Sequence, residues 1–218
     1  MRIIVYVEGP SDKAAMEALL LPLLEKKRTE GVAVVFFEAP PGDKKESVLT
    51  KVPRKAANIL LNDPHAVVVA MPDLYPKNRA FPHETVEELE RGIFNNFHAA
   101  LLGKEAPDDF HAKNRFKVFC FKHDMEVLIL ASHEALRSRL GAKHLTPTWR
   151  NPVEDQDHNH PPKRIVEELF NKFGQHYRDT VDAPMILSVV NYQEVADRCP
   201  QCFKPFIEFL STLKGTVP

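Results

Sequence analysis

Apolar runs of two kinds alternate along the first 140 positions. Arg2–Val7, Val32–Phe37 and Ala66–Met71 are short, rich in β-branched side chains and almost free of polar interruptions. Runs of that kind predict strands buried on both faces of a parallel sheet. Arg115–Phe121 is a fourth strand candidate. Between the strands, apolar positions recur at helical spacing. Ala15, Met16, Leu19, Leu20, Leu23 and Leu24 form one stripe, which predicts a helix from about Asp12 to Lys27 with Ser11 as its cap. Ser47–Leu61 (dented by Pro53), Glu84–Leu102 and Met125–Arg139 are predicted as further helices. Strict alternation of strand and helix predicts an α/β fold with a mostly parallel sheet, flanked by helices through right-handed crossovers.

Beyond Gly141 the pattern changes. Lys143–Pro162 is rich in proline and histidine and reads as a loop. Lys163–Phe173, Met185–Arg198 and Lys204–Leu213 are helical candidates too short for a core of their own. The expected organisation is therefore an α/β domain over 1–140, a loop excursion over 141–162, and a helical C-terminal extension over 163–218 packed on the same domain.

Composition narrows the function classes. With 29 Lys+Arg against 30 Asp+Glu the net charge is −1, so nucleic acid would have to be met by a local patch rather than by bulk charge. No apolar run approaches the roughly 18 residues of a membrane span, which predicts no membrane partner. The opening residues read as a strand rather than a signal peptide. Cys120, Cys199 and Cys202 form no disulfide framework, and a cytoplasmic location is expected. Cys199-Pro-Gln-Cys202 has the spacing of half a zinc knuckle. With no second cysteine pair, zinc is not the expected ion.

Ligands of open α/β sheets bind beyond the carboxyl ends of the strands. Glu8 and Asp12 follow the first strand, Asp73 the third, and His123, Asp124 and Glu126 the fourth. Single acids at such positions commonly cap helices. Acids after three strands of one sheet predict a site for a hard divalent cation, Mg²⁺ or Mn²⁺. Lys44, Lys45, His123, Lys163 and Arg164 are candidate phosphate or nucleic-acid contacts. Lys163-Arg164 stands out because cations at a helix start oppose the dipole.

Val5-Tyr6-Val7-Glu8-Gly9-Pro10-Ser11-Asp12 followed by a helix resembles the first motif of Toprim domains. Val67–Asp73 stands where those domains carry a strand ending in Asp-x-Asp. Toprim domains occur in topoisomerases, bacterial primases, recombination mediators and the overcoming-lysogenization-defect nucleases. Three later segments, Lys122-His-Asp-Met-Glu126, Pro152-Val-Glu-Asp155 with Pro161–Ile165, and Cys199–Phe203, resemble a family of small stand-alone Toprim-like prokaryotic proteins of unknown function. Genes of that family often neighbour ABC- or SMC-like ATPases, some in antiviral defence clusters. The resemblance implies a Toprim-like, Rossmann-like sheet, a divalent-metal-dependent nuclease or related phosphodiester chemistry, and an ATPase partner. By position it implies Glu8 as acid/base or metal ligand, Asp73 as metal ligand, Glu126 as a further catalytic and metal carboxylate, and Asp12 as holder of a second ion. The chain departs from the pattern at Tyr75, where the motif has a second Asp.

Two other readings compete. The chain could be a catalytically impaired Toprim-fold binding module within an ATPase complex. It could also be a Mg²⁺ phosphatase of another α/β lineage, which a phosphoenzyme trap would reveal.

Overall fold

The computed structural model describes residues 1–106 and 109–215. These form two compact units: Met1–Gly9 with Leu23–Cys120 and the C-terminal residues from Leu213, and Pro10–Pro22 with Phe121–Thr212. The last three positions of the expected 163–218 extension lie outside the described residues.

The first unit holds the sheet. Its strands are β1 (Arg2–Val7), β2 (Ala33–Glu38), β3 (Ala66–Met71) and β4 (Phe116–Val118), in the order β2-β1-β3-β4 and all parallel. The α/β class with a parallel sheet flanked by helices is as expected. Every residue of β3 and all of β1 after Arg2 are buried, which is why both strands are apolar without alternation. β2 lies at the edge and leaves Val35 and Phe37 exposed.

Helix α1 (Pro10–Thr29) starts two residues earlier than expected, because Pro10 occupies a first-turn position where a missing N–H costs nothing. Helix α2 (Lys44–Asn62) starts three residues earlier than expected. The Asp43 carboxylate caps it, accepting from the Glu46 N–H at 2.8 Å. Thr85 caps α3 (Val86–Leu102) in the same way, and the Asn96 amide donates to the Leu49 carbonyl at 2.9 Å, joining α3 to α2. An unexpected short helix, α4 (Phe110–Arg115), follows Asp109, whose carboxylate accepts from the Ala112 N–H. This helix shortens β4 at its start. Arg115 instead donates to the carbonyls of Leu60, Asp63 and Ala66, tying the end of α2 to the start of β3. Phe116 stacks on Phe97 at 4.4 Å between ring centroids and meets Phe94 edge-on.

The second unit is helical. The expected helix over Met125–Arg139 is two, α5 (Glu126–Ala131) and α6 (His133–Leu140). They divide at Ser132, whose hydroxyl bonds back to the Leu128 carbonyl and whose backbone leaves the helical region at φ −96°, ψ 46°. α7 (Pro162–Lys172) and α10 (Phe203–Thr212) lie where helices were expected. The candidate over Met185–Arg198 divides into α8 (Asp179–Leu187) and α9 (Tyr192–Arg198), the latter capped by Asn191. The apolar period runs across both breaks, so periodicity alone does not show them. The 143–161 loop is held by buried Gln156. Its side chain accepts from the Arg150 N–H and donates to the carbonyls of Arg150 and Val153.

Candidate functional site

The expected site residues form two groups, one in each unit. In the first unit, β1 and β3 are neighbours paired in register from Arg2↔Ala66 to Val7↔Met71. β2 lies on the far side of β1, so the order of the strands reverses between β1 and β3. A crevice beyond the carboxyl ends of the strands at such a reversal is the usual ligand position in open α/β sheets. Glu8 leaves β1 there, and Asp73 stands two residues past β3. The Asp73 backbone N–H donates to Glu8 Oε1 at 3.0 Å, which fixes the Glu8 carboxylate against the backbone at Asp73.

Lys45 and Lys44 join this group in different ways. The Lys45 side chain is buried, at 8% exposure, and its ammonium donates to the carbonyls of Leu74 (3.1 Å) and Pro76. Burial holds its pKa below the ordinary lysine value, against the upward pull of the Glu8 and then the Asp73 carboxylates. Lys44 is exposed and lies over Gly9, where a β-carbon would stand 2.9 Å from Lys44 Nζ. The Tyr75 hydroxyl donates to the Glu84 carbonyl at 2.7 Å, so position 75 contributes a ring and a hydroxyl in place of a carboxylate.

The second unit assembles Asp12, Asp124, Glu126, Lys163 and Tyr177. Asp12 is in the first turn of α1 and Glu126 begins α5. Asp124 accepts from the Lys163 backbone N–H, at 3.1 and 3.2 Å to its two oxygens, and thereby holds the start of α7. Glu126 is 3% exposed, and its Oε1 accepts the Tyr177 hydroxyl at 3.1 Å. Burial, then the charge of Glu126, pushes the Asp124 carboxyl well above the usual range, with Asp12 adding to the effect. Burial pushes Glu126 up to about 7, with Lys163 opposing and Asp12 adding. Burial also disfavours the Lys163 ammonium, but Glu126 and Asp179 overcome this and raise its pKa.

Other expected contacts are placed elsewhere in this unit. His123 is buried, with Nε2 at 3.0 Å from the Gln156 carbonyl oxygen and its ring 5.2 Å from that of His158. Burial, then the His158 charge, lowers its pKa. Arg164 is exposed and donates to Glu168 and to the Asn159 carbonyl. The Cys199–Cys202 turn sits on Glu154, which is 1% exposed and accepts from the N–H groups of Gln201, Cys202 and Phe203 at 2.7, 2.8 and 3.4 Å. Burial and then Glu154 raise the Cys199 thiol pKa, which disfavours the thiolate a zinc ion needs.

Among the described residues, no three His, Cys, Asp or Glu side chains are grouped to hold an ion. A closed all-protein cage takes such a grouping. Mg²⁺ needs no such cage, being commonly held by one or two carboxylates with waters and substrate phosphates completing the octahedron. The Glu8–Asp73 pair, with hard oxygen donors on adjacent strand ends, fits that mode. Sequence reasoning missed Tyr177, in a polar stretch with no motif, and it missed the burial of Lys45.

Among solved structures, the chain is similar to the C-terminal region of the Burkholderia pseudomallei OLD protein, at 16% identity and a TM-score of 0.45 over 96% of each chain. It is also similar to the C-terminal region of the Xanthomonas campestris pv. campestris OLD protein phased with iodine. There the identity is 15% and the TM-score 0.44, over 95% of this chain and 93% of that one. No curated protein matches the chain. A family model described as Domain of unknown function (DUF4276) matches residues 7–211.

Proposed function

We infer that this chain, which belongs to the DUF4276 family, is a divalent-metal-dependent nuclease or related phosphodiester-acting protein of Toprim type. The observation that carries the reading is the Glu8–Asp73 pair, joined by a 3.0 Å hydrogen bond from the Asp73 backbone N–H at the strand-order reversal of a parallel sheet. In this reading Glu8 and Asp73 hold Mg²⁺ or Mn²⁺. The bound ion supplies charge neutralisation at a phosphodiester oxygen. Lys44, exposed beside Gly9, offers a positive charge to a nucleic-acid backbone. Asp12 and Glu126 of the second unit are taken as further metal carboxylates, with Lys163 and Arg164 as phosphate contacts. In the metal-free chain burial raises Glu126 to about 7, and a bound divalent cation would hold the same carboxylate ionised. The Toprim resemblance extends the proposal to an ABC- or SMC-like ATPase partner and to antiviral defence in the cytoplasm. Among the described residues no helix is long and apolar enough to cross a membrane.

One observation favours a second reading. Tyr75 spends its hydroxyl on the Glu84 carbonyl, which suits a binding module whose metal site has lost a ligand. Cleavage of plasmid, single-stranded DNA and RNA in Mg²⁺ or Mn²⁺ decides between the two. The wild type is expected to cut, and Glu8→Gln and Asp73→Asn are expected to lose at least about 100-fold in rate, the scale on which removing one preorganised charged group acts. Variants that keep both cleavage and metal binding would sink the site assignment. A wild type that cuts nothing points to the binding module.

A further inference from the structure

Lys45 sits where both burial and local structure oppose a cation. It is the second residue of α2, and a positive charge in the first turn works against the helix dipole. It is also 8% exposed, and lysine is almost never buried unless its charge is matched. Its hydrogen bonds go to two neutral carbonyls, Leu74 and Pro76, which orient the ammonium without neutralising it. The charges that favour it most are the carboxylates of Glu8 and Asp73, the residues joined through the Asp73 backbone N–H at the ends of β1 and β3. Tyr75, between the two carbonyls that Lys45 grips, brings no negative charge of its own.

We propose that Lys45 is the built-in counter-cation of the Glu8–Asp73 pair, setting how tightly that pair holds a divalent ion. This rests on the reading of Glu8 and Asp73 as metal ligands and deepens it. With the ammonium in place the pair carries one net negative charge instead of two. Its hold on a free divalent ion is weakened, and the ion is bound firmly when a phosphodiester adds its own negative charge and oxygens. A lysine that merely straps the 74–76 segment to α2 makes a different prediction, because its work is done by N–H donors and not by charge.

Direct titration with Mn²⁺ alone, followed by electron paramagnetic resonance, separates the two. Lys45→Gln keeps N–H donors for the Leu74 and Pro76 carbonyls but removes the charge. It is expected to bind Mn²⁺ about tenfold more tightly than the wild type, the modest end of the Coulomb estimate for a unit charge beside a divalent ion. Lys45→Arg is expected to match the wild type. In a Glu8→Gln/Asp73→Asn background the gain should vanish. Mn²⁺ affinity in folded Lys45→Gln that equals or falls below the wild-type value would overturn the proposal, as would a gain that survives loss of both acids. If Lys45→Gln does not fold, the ¹⁵N resonance of the Lys45 ammonium in the wild type replaces it. That resonance should shift on Mg²⁺ addition and stop responding in Glu8→Gln, and an unresponsive wild type would overturn the proposal. The nuclease reading fails separately: no cleavage under any condition, with this Mn²⁺ pattern intact, would remove the enzyme and leave the counter-cation in place.

Discussion

In metal-free buffer at pH 8, Glu126→Gln is expected to be more stable than the wild type by about 3 kcal/mol, the linkage value of a carboxyl moved from 4.5 to about 7. The sign follows from where the proton is held. The folded chain holds the Glu126 proton more tightly than the unfolded chain does. Between pH 4.5 and 7 the folded state therefore binds more protons, and wild-type stability falls as pH rises through that window. Above it the full cost of an ionised carboxylate at 3% exposure is present. Glutamine removes the titration while keeping an oxygen to accept the Tyr177 hydroxyl. Urea unfolding at a series of pH values, with chelator present, should give a sloping wild-type curve and a flatter one for the variant, converging near pH 4.5. Asp124 titrates in the same direction and remains in both proteins, so the variant keeps a residual slope. Parallel curves from pH 5 to 8 would show that Glu126 is not the group that burial perturbs. Added Mg²⁺ that closes the gap at pH 8 would tie the same carboxylate to cation binding.

Asp182→Ala is expected to lose about 3–5 kcal/mol, the usual cost of breaking a buried ion pair from one side. Asp182 is fully buried at the start of α8. Its carboxylate accepts Arg139 Nε at 3.0 Å, a second bond from the same guanidinium, and the Arg178 N–H at 2.7 Å. Arg139 also donates to the Gln175 side chain, which donates in turn to the Leu140 carbonyl, and its guanidinium lies over the Phe170 ring. Alanine would strand the Arg178 N–H and leave the Arg139 charge, three-quarters covered, without its partner. Asp182→Asn, which keeps an acceptor, is expected to lose clearly less. Urea midpoints with unchanged slopes would measure both losses. A cost below about 1 kcal/mol for the alanine variant would mean that the network is redundant. Tyr177 lies inside the turn that this network holds, between Gln175 and Arg178. Asp182→Ala should therefore also disturb the Tyr177–Glu126 hydrogen bond.

Local pattern is enough for the elements whose burial is uniform. β1 and β3 are buried along nearly their whole length, so every position must be apolar, and the run reads as a strand without further information. Alternation with helices then dictates parallel pairing, and the turn after each strand is where polar chemistry can be housed. The positions of Glu8 and Asp73 just past β1 and β3 were legible on those grounds. Their mutual hydrogen bond follows from an in-register neighbour pairing that no local pattern encodes.

Whatever depends on which distant group lies opposite is set by the packing of the folded chain. From sequence Lys45 reads as a candidate phosphate contact beside Lys44, because lysine is nearly always exposed. Its burial exists because the Leu74 and Pro76 carbonyls and two carboxylates from other elements surround it. The same holds for Glu154, three sequence-remote N–H groups of the Cys199–Phe203 turn making it a buried anchor rather than a loop acid. Tyr177 became part of an acid cluster only through its bond to Glu126, 51 residues away. The breaks at Ser132 and before Asn191 escape an apolar period that continues through them, since a Ser hydroxyl bonding back to the backbone and an Asn side chain capping the next helix change direction without changing hydrophobicity. Hydrophobic period records how much of a face is covered, whereas charge pairing and capping depend on the identity of the covering group, and that is supplied by the fold.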